Sequence, residues 1–256
     1  MVSNPKSDTG ALLAINGKPV TGACYSCGAM RAAHYCQECG KVQPPAPVDY
    51  FAFFGLPPKL NLDTKQLERD FYALSRKLHP DINARVNQRE QEWSLEKTSQ
   101  LNDAFRTLKD PILRTEYLLR LRGVQLEEQS KAATDAARKT GAAKKQVVPP
   151  DLLEEVFELN MQLEELRMNK KLDEDDPSLT QDIRSARQHL LDKQNEMLTQ
   201  LKSAWDRWDA LVDQAAAGEA VADTDRAAAR DAMLNVLNKH KYLANLLREI
   251  DEVLES

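Results

Sequence analysis

The chain has 256 residues, with 35 Lys and Arg against 40 Asp and Glu, and a formal net charge of -5. This acidic balance disfavours a nucleic-acid-binding protein, which usually carries a basic face. Charged residues make up 29% of the chain and aromatic residues only 6%, and no alternating pattern indicates a strand, so we expect an all-α fold. No apolar run is long enough to span a membrane, and the first twenty residues resemble neither a secretory signal nor a transit peptide. We therefore expect a soluble intracellular protein without a membrane partner.

All four cysteines lie close to the N-terminus, after a polar stretch, residues 1–22, that we expect to be loose. They form two C-x-x-C pairs, each followed by glycine and separated by eight residues: Cys24, Cys27, Cys36 and Cys39. Each pair is typical of a tight turn that points two thiolates at one spot, and two such turns give a tetrahedral site suited to zinc. Residues 23–43, here called the cysteine segment, have no core of their own, so metal binding would supply folding energy on the order of 10 kcal/mol.

Three other interpretations of the cysteine pairs stay open: a redox-switched zinc site, a cluster-binding site and a thioredoxin-like dithiol. The dithiol, formed by Cys24 with Cys27 or by Cys36 with Cys39, is disfavoured because no βαβ pattern surrounds either pair. Disulfides are disfavoured because no secretory signal is visible. A structural zinc site remains the favoured interpretation.

The surroundings of the cysteine pairs predict a segment that folds by itself. His34 lies between the pairs, and we interpret it as a bystander because four cysteines already complete the site. A stiff spacer containing Pro44, Pro45 and Pro47 follows. We expect this spacer to isolate the segment, so that Cys27→Ser would unfold residues 24–40 and leave the helices of 49–256 nearly unchanged.

Residues 44–126 predict a compact hairpin of helices. Asp63 is a good N-cap for a helix whose apolar residues recur at i, i+4, i+7 and i+11, namely Leu67, Phe71, Leu74 and Leu78. A second helix is predicted over 87–109, and one side of it carries Leu101, Ala104, Phe105 and Leu108. A third is predicted over 111–121, with proline in its first turn and Gly123 after its end. Two antiparallel helices and a short third one form a compact unit.

Residues 127–150 contain almost no large apolar side chain and end in two prolines, which predicts a solvated linker. Residues 151–256 carry three long helices with heptad patterns. The first has an apolar seam at Leu152, Val156, Leu159, Leu163 and Leu166. The second keeps its apolar phase from Leu179 through Trp208 to Leu211, and the third from Met233 to Leu254. Helices of this kind bury their seams best in a three-helix bundle.

The first bundle helix carries a second apolar stripe beside its seam. Leu153, Phe157 and Met161 lie one residue out of phase with the seam, which rotates them by about 100° around the helix. The stripe is flanked by acidic residues, and Tyr242 of the third helix lies off its heptad seam and could join the same face; the acidic residues are Glu154, Glu158 and Glu165. An apolar patch rimmed by carboxylates is typical of a protein-binding site, and a wide core stripe is the alternative.

The tripeptide His79-Pro80-Asp81 ends the first helix of the hairpin, because proline disfavours helical geometry in the residue before it. The turn presents its histidine between Arg76-Lys77 and two further arginines, at positions 85 and 89. We expect no catalytic role for His79, since no nucleophile is recognisable nearby and a helical hairpin offers no deep pocket.

A His-Pro-Asp turn between antiparallel helices resembles the J domain, the module that stimulates ATP hydrolysis by DnaK-type chaperones. The resemblance extends to the iron–sulfur-assembly J proteins of the HscB type through the segments DYFAFFGLP (49–57), LDTKQLERDFYALSRKLHPD (62–81), LNDAFRTLKDPILRTEYLLRLRG (101–123) and LLEEVFELNMQLEE (152–165). The paired cysteines resemble the eukaryotic members of that family. The lack of a transit peptide fits a bacterial, cytoplasmic protein better, and a eukaryotic source would imply a mitochondrial one.

The resemblance implies two partner-binding sites. His79, Pro80 and Asp81 would contact the ATPase domain of a DnaK/HscA-type chaperone, and three basic residues would steer its acidic surface: Arg69, Arg76 and Lys77. Position 82 is isoleucine where many J domains carry lysine. A scaffold protein of the IscU type, on which clusters are built, would bind Leu153, Phe157, Glu158, Met161, Glu165 and Tyr242.

The favoured interpretation is a non-enzymatic co-chaperone that brings the cluster scaffold to the chaperone. A general J protein for other clients is less favoured, because its peptide groove would require β-strands. A zinc-ribbon adaptor for nucleic acid would require a basic face, and a dithiol enzyme would require free cysteine pairs. The predicted organisation is a loose N-terminus (1–22), a zinc unit (23–43), a J domain (44–126), a linker (127–150) and a three-helix bundle (151–256).

Overall fold

A computed structural model of the chain describes residues 12–13, 19–20, 22–32, 34–81, 87–124, 149–174 and 176–255. The fold is all-α, as predicted, apart from two short antiparallel hairpins near the N-terminus. β1 (Leu12–Leu13) pairs with β2 (Pro19–Val20), and β3 (Gly22–Ala23) pairs with β4 (Met30–Ala32). The pairing of β1 with β2 differs from the loose segment predicted for 1–22. The predicted linker lies outside the described residues except at its last two positions.

The chain divides into two compact units. The first comprises Met1–Leu121 together with Trp208–Ala220, and the second comprises Arg122–Arg207 together with Val221–Ser256. Helix α6 (Pro177–Ala216) contributes to both, because its last residues belong to the first unit.

Three helices of the first unit begin and end close to their predicted bounds: α2 (Thr64–Leu78), α3 (Gln88–Lys109) and α4 (Pro111–Leu121). A short helix that was not predicted separately, α1 (Tyr50–Phe53), precedes them. Asp63 caps α2, since its Oδ1 accepts from the backbone N–H groups of Lys65 and Gln66 at 3.0 Å each. Asn87 caps α3 by accepting from the N–H of Glu90 at 2.9 Å. These side-chain caps satisfy backbone donors that have no partner inside the helix.

The core of the hairpin lies between α2 and α3. Leu78, Leu101 and Ala104 are fully buried in one cluster. Beside it, the rings of Phe71 and Phe105 stack with centroids 4.2 Å apart, which ties the middle of α2 to α3.

The end of α6 packs against the loop that precedes α2. The indole Nε1 of Trp208 donates to the carbonyl oxygen of Pro58 at 3.0 Å. The buried carboxylate of Asp209 accepts from the backbone N–H groups of Leu60 at 2.8 Å and Asn61 at 2.9 Å. The heptad pattern had placed this end of the helix in the bundle. That placement is wrong. The apolar pattern continues without a break along α6, but the residues that pack against the end of the helix belong to the loop before α2 and not to the bundle.

The second unit is the predicted three-helix bundle. It contains α5 (Leu153–Lys171), the larger part of α6, and α7 (Asp223–Glu255), and a 3-10 turn over Pro150–Leu152 precedes α5. The whole predicted seam of α5 is buried, together with Ile183 and Leu190 of α6 and Leu243, Leu247 and Ile250 of α7. Among the helices that the structure describes, none has the length and apolar character needed to cross a membrane.

Candidate functional sites

The His-Pro-Asp turn stands at the end of α2. Leu78 is the last helical residue and is fully buried, and its carbonyl oxygen accepts from the hydroxyls of Ser94 and Thr98 of α3. His79 leaves helical geometry with φ -60° and ψ 133°. The N–H of Asp81 donates to Nδ1 of His79 at 3.2 Å, which places the proton of a neutral imidazole on Nε2. The side chain of His79 is 48% exposed and that of Asp81 is 90% exposed, so the buried helix end supports an accessible turn.

The basic residues predicted to steer a chaperone are exposed along α2. Arg69 and Arg76 lie seven residues apart, and Lys77 lies beside the turn. Two guanidinium nitrogens of Arg69 donate to Gln66 Oε1 at 2.6 and 3.1 Å, which restrains that side chain. The ammonium of Lys77 lies 5.8 Å from the ring centroid of Tyr35. Such an exposed cationic face suits an acidic partner surface.

The four cysteine sulfurs converge on one point, and they all lie within 4.8 Å of one another. Cys24 Sγ and Cys39 Sγ are 3.7 Å apart, and Cys27 Sγ and Cys36 Sγ are also 3.7 Å apart. Sulfurs placed tetrahedrally at about 2.3 Å from a metal ion lie about 3.8 Å from each other, so this geometry fits such an ion.

The two cysteine turns close in the same way. Gly28 and Gly40 each adopt a φ of 73°, in the left-handed region that favours glycine. Their N–H groups donate to the carbonyl oxygens of Cys24 and Cys36, both at 2.9 Å. The glycine predicted after each pair therefore has a conformational function.

The electrostatics of the cysteine cluster favour a cation. The backbone N–H of Cys27 outweighs the effect of burial and lowers the pKa of the Cys24 thiol to about 6, and the Ser26 N–H adds to this. The N–H of Ala29 lowers the pKa of Cys27, but burial and hydrogen bonds with the other three thiols raise it to about 12. The first thiol of the cluster is therefore easily deprotonated, and the thiolate that results opposes deprotonation of the next thiol. A bound cation would hold all four sulfurs as thiolates.

The cysteine segment is not isolated from the helices. Val42 is buried in the same cluster as Leu78 and Leu101. His34 is buried too, with Nε2 2.7 Å from the carbonyl oxygen of Phe53 and the two rings 4.1 Å apart. Burial lowers the pKa of His34 to about 4, so the neutral ring donates its N–H to Phe53. The prediction that the proline spacer isolates the segment is wrong, because the segment shares the core of the hairpin. His34 lies outside the sulfur cluster, but it has a packing role that its sequence position did not indicate.

The second stripe of α5 is exposed as predicted. Leu153, Phe157 and Met161, here called the exposed stripe, are 59%, 65% and 60% exposed. Leu159 on the seam of the same helix is only 2% exposed. The flanking carboxylates are exposed as well: Glu154, Glu158 and Glu165. Contiguous exposed apolar side chains with an acidic rim are typical of a protein-binding surface.

Tyr242 does not belong to the exposed stripe. It is 6% exposed and lies in the core of the bundle, where burial raises the pKa of its hydroxyl. Leu246 and Val253 of α7 are buried as well, although they also lie off the predicted seam. The buried face of α7 is therefore wider than a heptad seam, and the prediction that Tyr242 shares the surface of the exposed stripe is wrong.

Comparison with known proteins places these features in context. Residues 49–117 match the DnaJ domain. The chain is 28% identical over 200 residues to the mouse iron–sulfur cluster co-chaperone protein HscB, and this alignment covers 73% of the chain and 80% of the mouse protein. It is 30% identical over 143 residues to the HscB homolog of Arabidopsis thaliana, covering 56% and 51%, and 40% identical over 82 residues to that of Vibrio cholerae, covering 32% and 48%.

Solved structures share the fold. The crystal structure of human co-chaperone protein HscB superposes with a TM-score of 0.60 at 22% identity, covering 90% of this chain and 98% of that one. Chaperone HscB from Vibrio cholerae gives 0.52 at 24% identity, covering 81% and 98%.

His79–Asp81 follow the first helix of the hairpin, and residues 49–117 match the DnaJ domain, so this part of the chain is a J domain. The similarity extends well beyond that domain, since the mouse alignment covers 73% of the chain. The chain is similar in sequence to iron–sulfur cluster co-chaperone proteins of the HscB type.

Proposed function

We propose that this protein is a non-enzymatic co-chaperone that binds an iron–sulfur cluster scaffold and delivers it to a DnaK/HscA-type chaperone, whose ATPase it stimulates. The observation that carries the proposal is the exposed His-Pro-Asp turn, which follows the capped helix α2 directly after Leu78, a residue buried in the hairpin core. The names of the relatives support the cluster-assembly setting.

At the chaperone end, the turn offers two different polar groups. Nε2 of His79 is a donor, because Nδ1 accepts from the Asp81 N–H, and the exposed Asp81 carboxylate is an acceptor. Arg69, Arg76 and Lys77 would raise the rate of encounter with an acidic surface rather than determine the final affinity.

At the scaffold end, the exposed stripe would supply the apolar centre of the interface and Glu158 and Glu165 its polar rim. Phe157 is its largest exposed side chain, and aromatic anchors of this kind dominate binding energy in many interfaces. Two sites on separate compact units would let one molecule hold the scaffold while it stimulates the chaperone.

The four cysteines are proposed to bind one structural zinc ion. Four thiolates at this spacing suit zinc, which needs no redox chemistry and takes a closed tetrahedral site. Metal analysis of the purified protein should give one zinc per chain. A metal-free protein with titratable thiols would instead favour a dithiol.

The functional test is His79→Gln in a single-turnover ATPase assay with a DnaK/HscA-type chaperone. We expect the free energy of unfolding to change by less than about 0.5 kcal/mol, because the side chain is half exposed, and we expect stimulation of the ATPase to be lost. Arg76→Ala should weaken stimulation, whereas the matched variant Arg106→Ala should not, since Arg106 is exposed on α3 and pairs locally with Asp103. Normal stimulation by His79→Gln would contradict the J-domain role.

A further inference from the structure

The first half of α3 buries a polar face. Glu90, Ser94 and Lys97 are all buried and recur at i, i+4 and i+7, in phase with the apolar residue Leu101. Burial of charged groups is costly unless they are paired or hydrogen-bonded. The groups that pair with Glu90 and Lys97 therefore fix where this part of α3 can lie.

Glu90 is bound by the cysteine segment. Its Oε1 accepts from the ammonium of Lys41 at 3.2 Å and from the side-chain amide of Asn87 at 2.8 Å. Burial alone would raise the pKa of the Glu90 carboxyl, but hydrogen bonds from the Tyr25 hydroxyl and Lys41 lower it. The ring of Tyr25 also packs edge-on against Trp93, with centroids 5.1 Å apart. Two residues of the cysteine segment thus hold the first turn of α3.

A second contact lies two turns further along α3. The ammonium of Lys97 donates to the backbone carbonyl oxygen of His34 at 3.2 Å. That carbonyl also accepts from the N–H of Gln43, and His34 packs on Phe53. The cysteine segment is therefore attached to α3 on both sides of Ser94.

Ser94 connects this attachment to the His-Pro-Asp turn. Its hydroxyl and that of Thr98 both donate to the carbonyl oxygen of Leu78, the residue immediately before His79. Val42 of the cysteine segment lies in the same buried cluster as Leu78. A displacement of the first turns of α3 would therefore displace the end of α2.

We propose that the cysteine segment positions the His-Pro-Asp turn by holding the first turns of α3, with Lys41 and Tyr25 as the positioning residues. The effect on ATPase stimulation rests on the proposed co-chaperone role, whereas the attachment of α3 by the cysteine segment does not depend on that role. The metal would act here only by keeping the cysteine segment folded.

The test compares Lys41→Met and Tyr25→Phe with the wild-type, zinc-loaded protein. Lys41→Met removes the ion pair with the buried Glu90 carboxylate. Tyr25→Phe keeps the ring on Trp93 and removes the hydroxyl that helps to lower the pKa of that carboxyl. Lys41→Arg keeps the cation and serves as the conservative variant. Lys109→Met serves as the matched control, because it removes another ion pair of the same hairpin, at 3.3 Å to Glu68 on the surface. Amide hydrogen exchange of residues 88–98 and the half-maximal concentration for ATPase stimulation are measured for each.

We expect Lys41→Met and Tyr25→Phe to speed exchange in 88–98 by about tenfold or more, as for loss of a hydrogen bond to a charged buried group. The half-maximal concentration should rise, while maximal stimulation stays close to wild type because His79 is intact. Lys41→Arg and Lys109→Met should resemble wild type. Removal of the metal under reducing conditions should also speed exchange in 88–98.

Unchanged exchange in both Lys41→Met and Tyr25→Phe would overturn the proposal. Faster exchange with an unchanged half-maximal concentration would overturn the positioning role. If the wild-type protein stimulates no chaperone, the proposed function fails, while the exchange comparison still decides whether the cysteine segment holds α3.

Discussion

Two variants of α5 can distinguish whether its exposed stripe belongs to the core of the bundle or to an interface with a partner protein. Leu153 and Phe157 are 59% and 65% exposed, so truncation of both to alanine removes side chains that are mostly in water already. We expect the double variant to lower the free energy of unfolding by less than about 1 kcal/mol. Leu159 is 2% exposed in the bundle core, and Leu159→Ala should cost about 2–5 kcal/mol through lost burial and a residual cavity.

Two assays are combined. Urea unfolding is monitored by the circular dichroism signal of the helices, and binding of the scaffold protein is measured by calorimetric titration. Two interface side chains that each contribute about 2 kcal/mol would together weaken binding by about a thousandfold. The double variant should therefore keep a urea midpoint close to that of the wild type and lose scaffold binding. Leu159→Ala should unfold at a clearly lower urea concentration. A double variant that loses stability but binds the scaffold normally would refute the interface.

Two further predictions concern buried charges. Burial lowers the pKa of Lys97 from 10.5 to about 8, against the opposing attraction of Glu96. Between these values the unfolded chain binds more protons, so this lysine should make stability rise with pH by up to about 3 kcal/mol, at about 1.4 kcal/mol per pH unit. Lys97→Met should remove that rise in urea titrations at pH 7.5 and pH 10, and an identical rise in both proteins would contradict the assignment. Asp209→Asn should cost about 1–3 kcal/mol, because the buried carboxylate accepts from the N–H groups of Leu60 and Asn61. Asp213→Asn at a 64% exposed side chain should cost far less, and equal effects of the two would count against the role of Asp209.

Local signals in the sequence predicted the helices well. Asp63, Pro111 and the α5 seam from Leu152 to Leu166 act through neighbours within one or two turns, so their effect can be read from spacing. The two C-x-x-C pairs predicted the sulfur cluster for the same reason, since each pair and its glycine close a turn alone.

The errors arise where burial depends on distant partners. Glu90 and Lys97 look like solvated helix residues until Lys41 and His34 are known to lie against them. Their phase with Leu101 was the one available signal, and it suggests that charged residues in line with an apolar stripe should be considered for burial. Tyr242 was misplaced because a wide core face and an exposed stripe have the same periodicity.

The most direct measurement follows the chaperone ATPase rate while scaffold protein is titrated against a fixed amount of this protein. Wild type and scaffold together should stimulate more than the sum of their separate effects. The Leu153→Ala, Phe157→Ala double variant should keep its scaffold-free stimulation and lose the added effect, and His79→Gln should show neither. An added effect of scaffold that is as large with the double variant as with wild type would contradict delivery of the scaffold through α5.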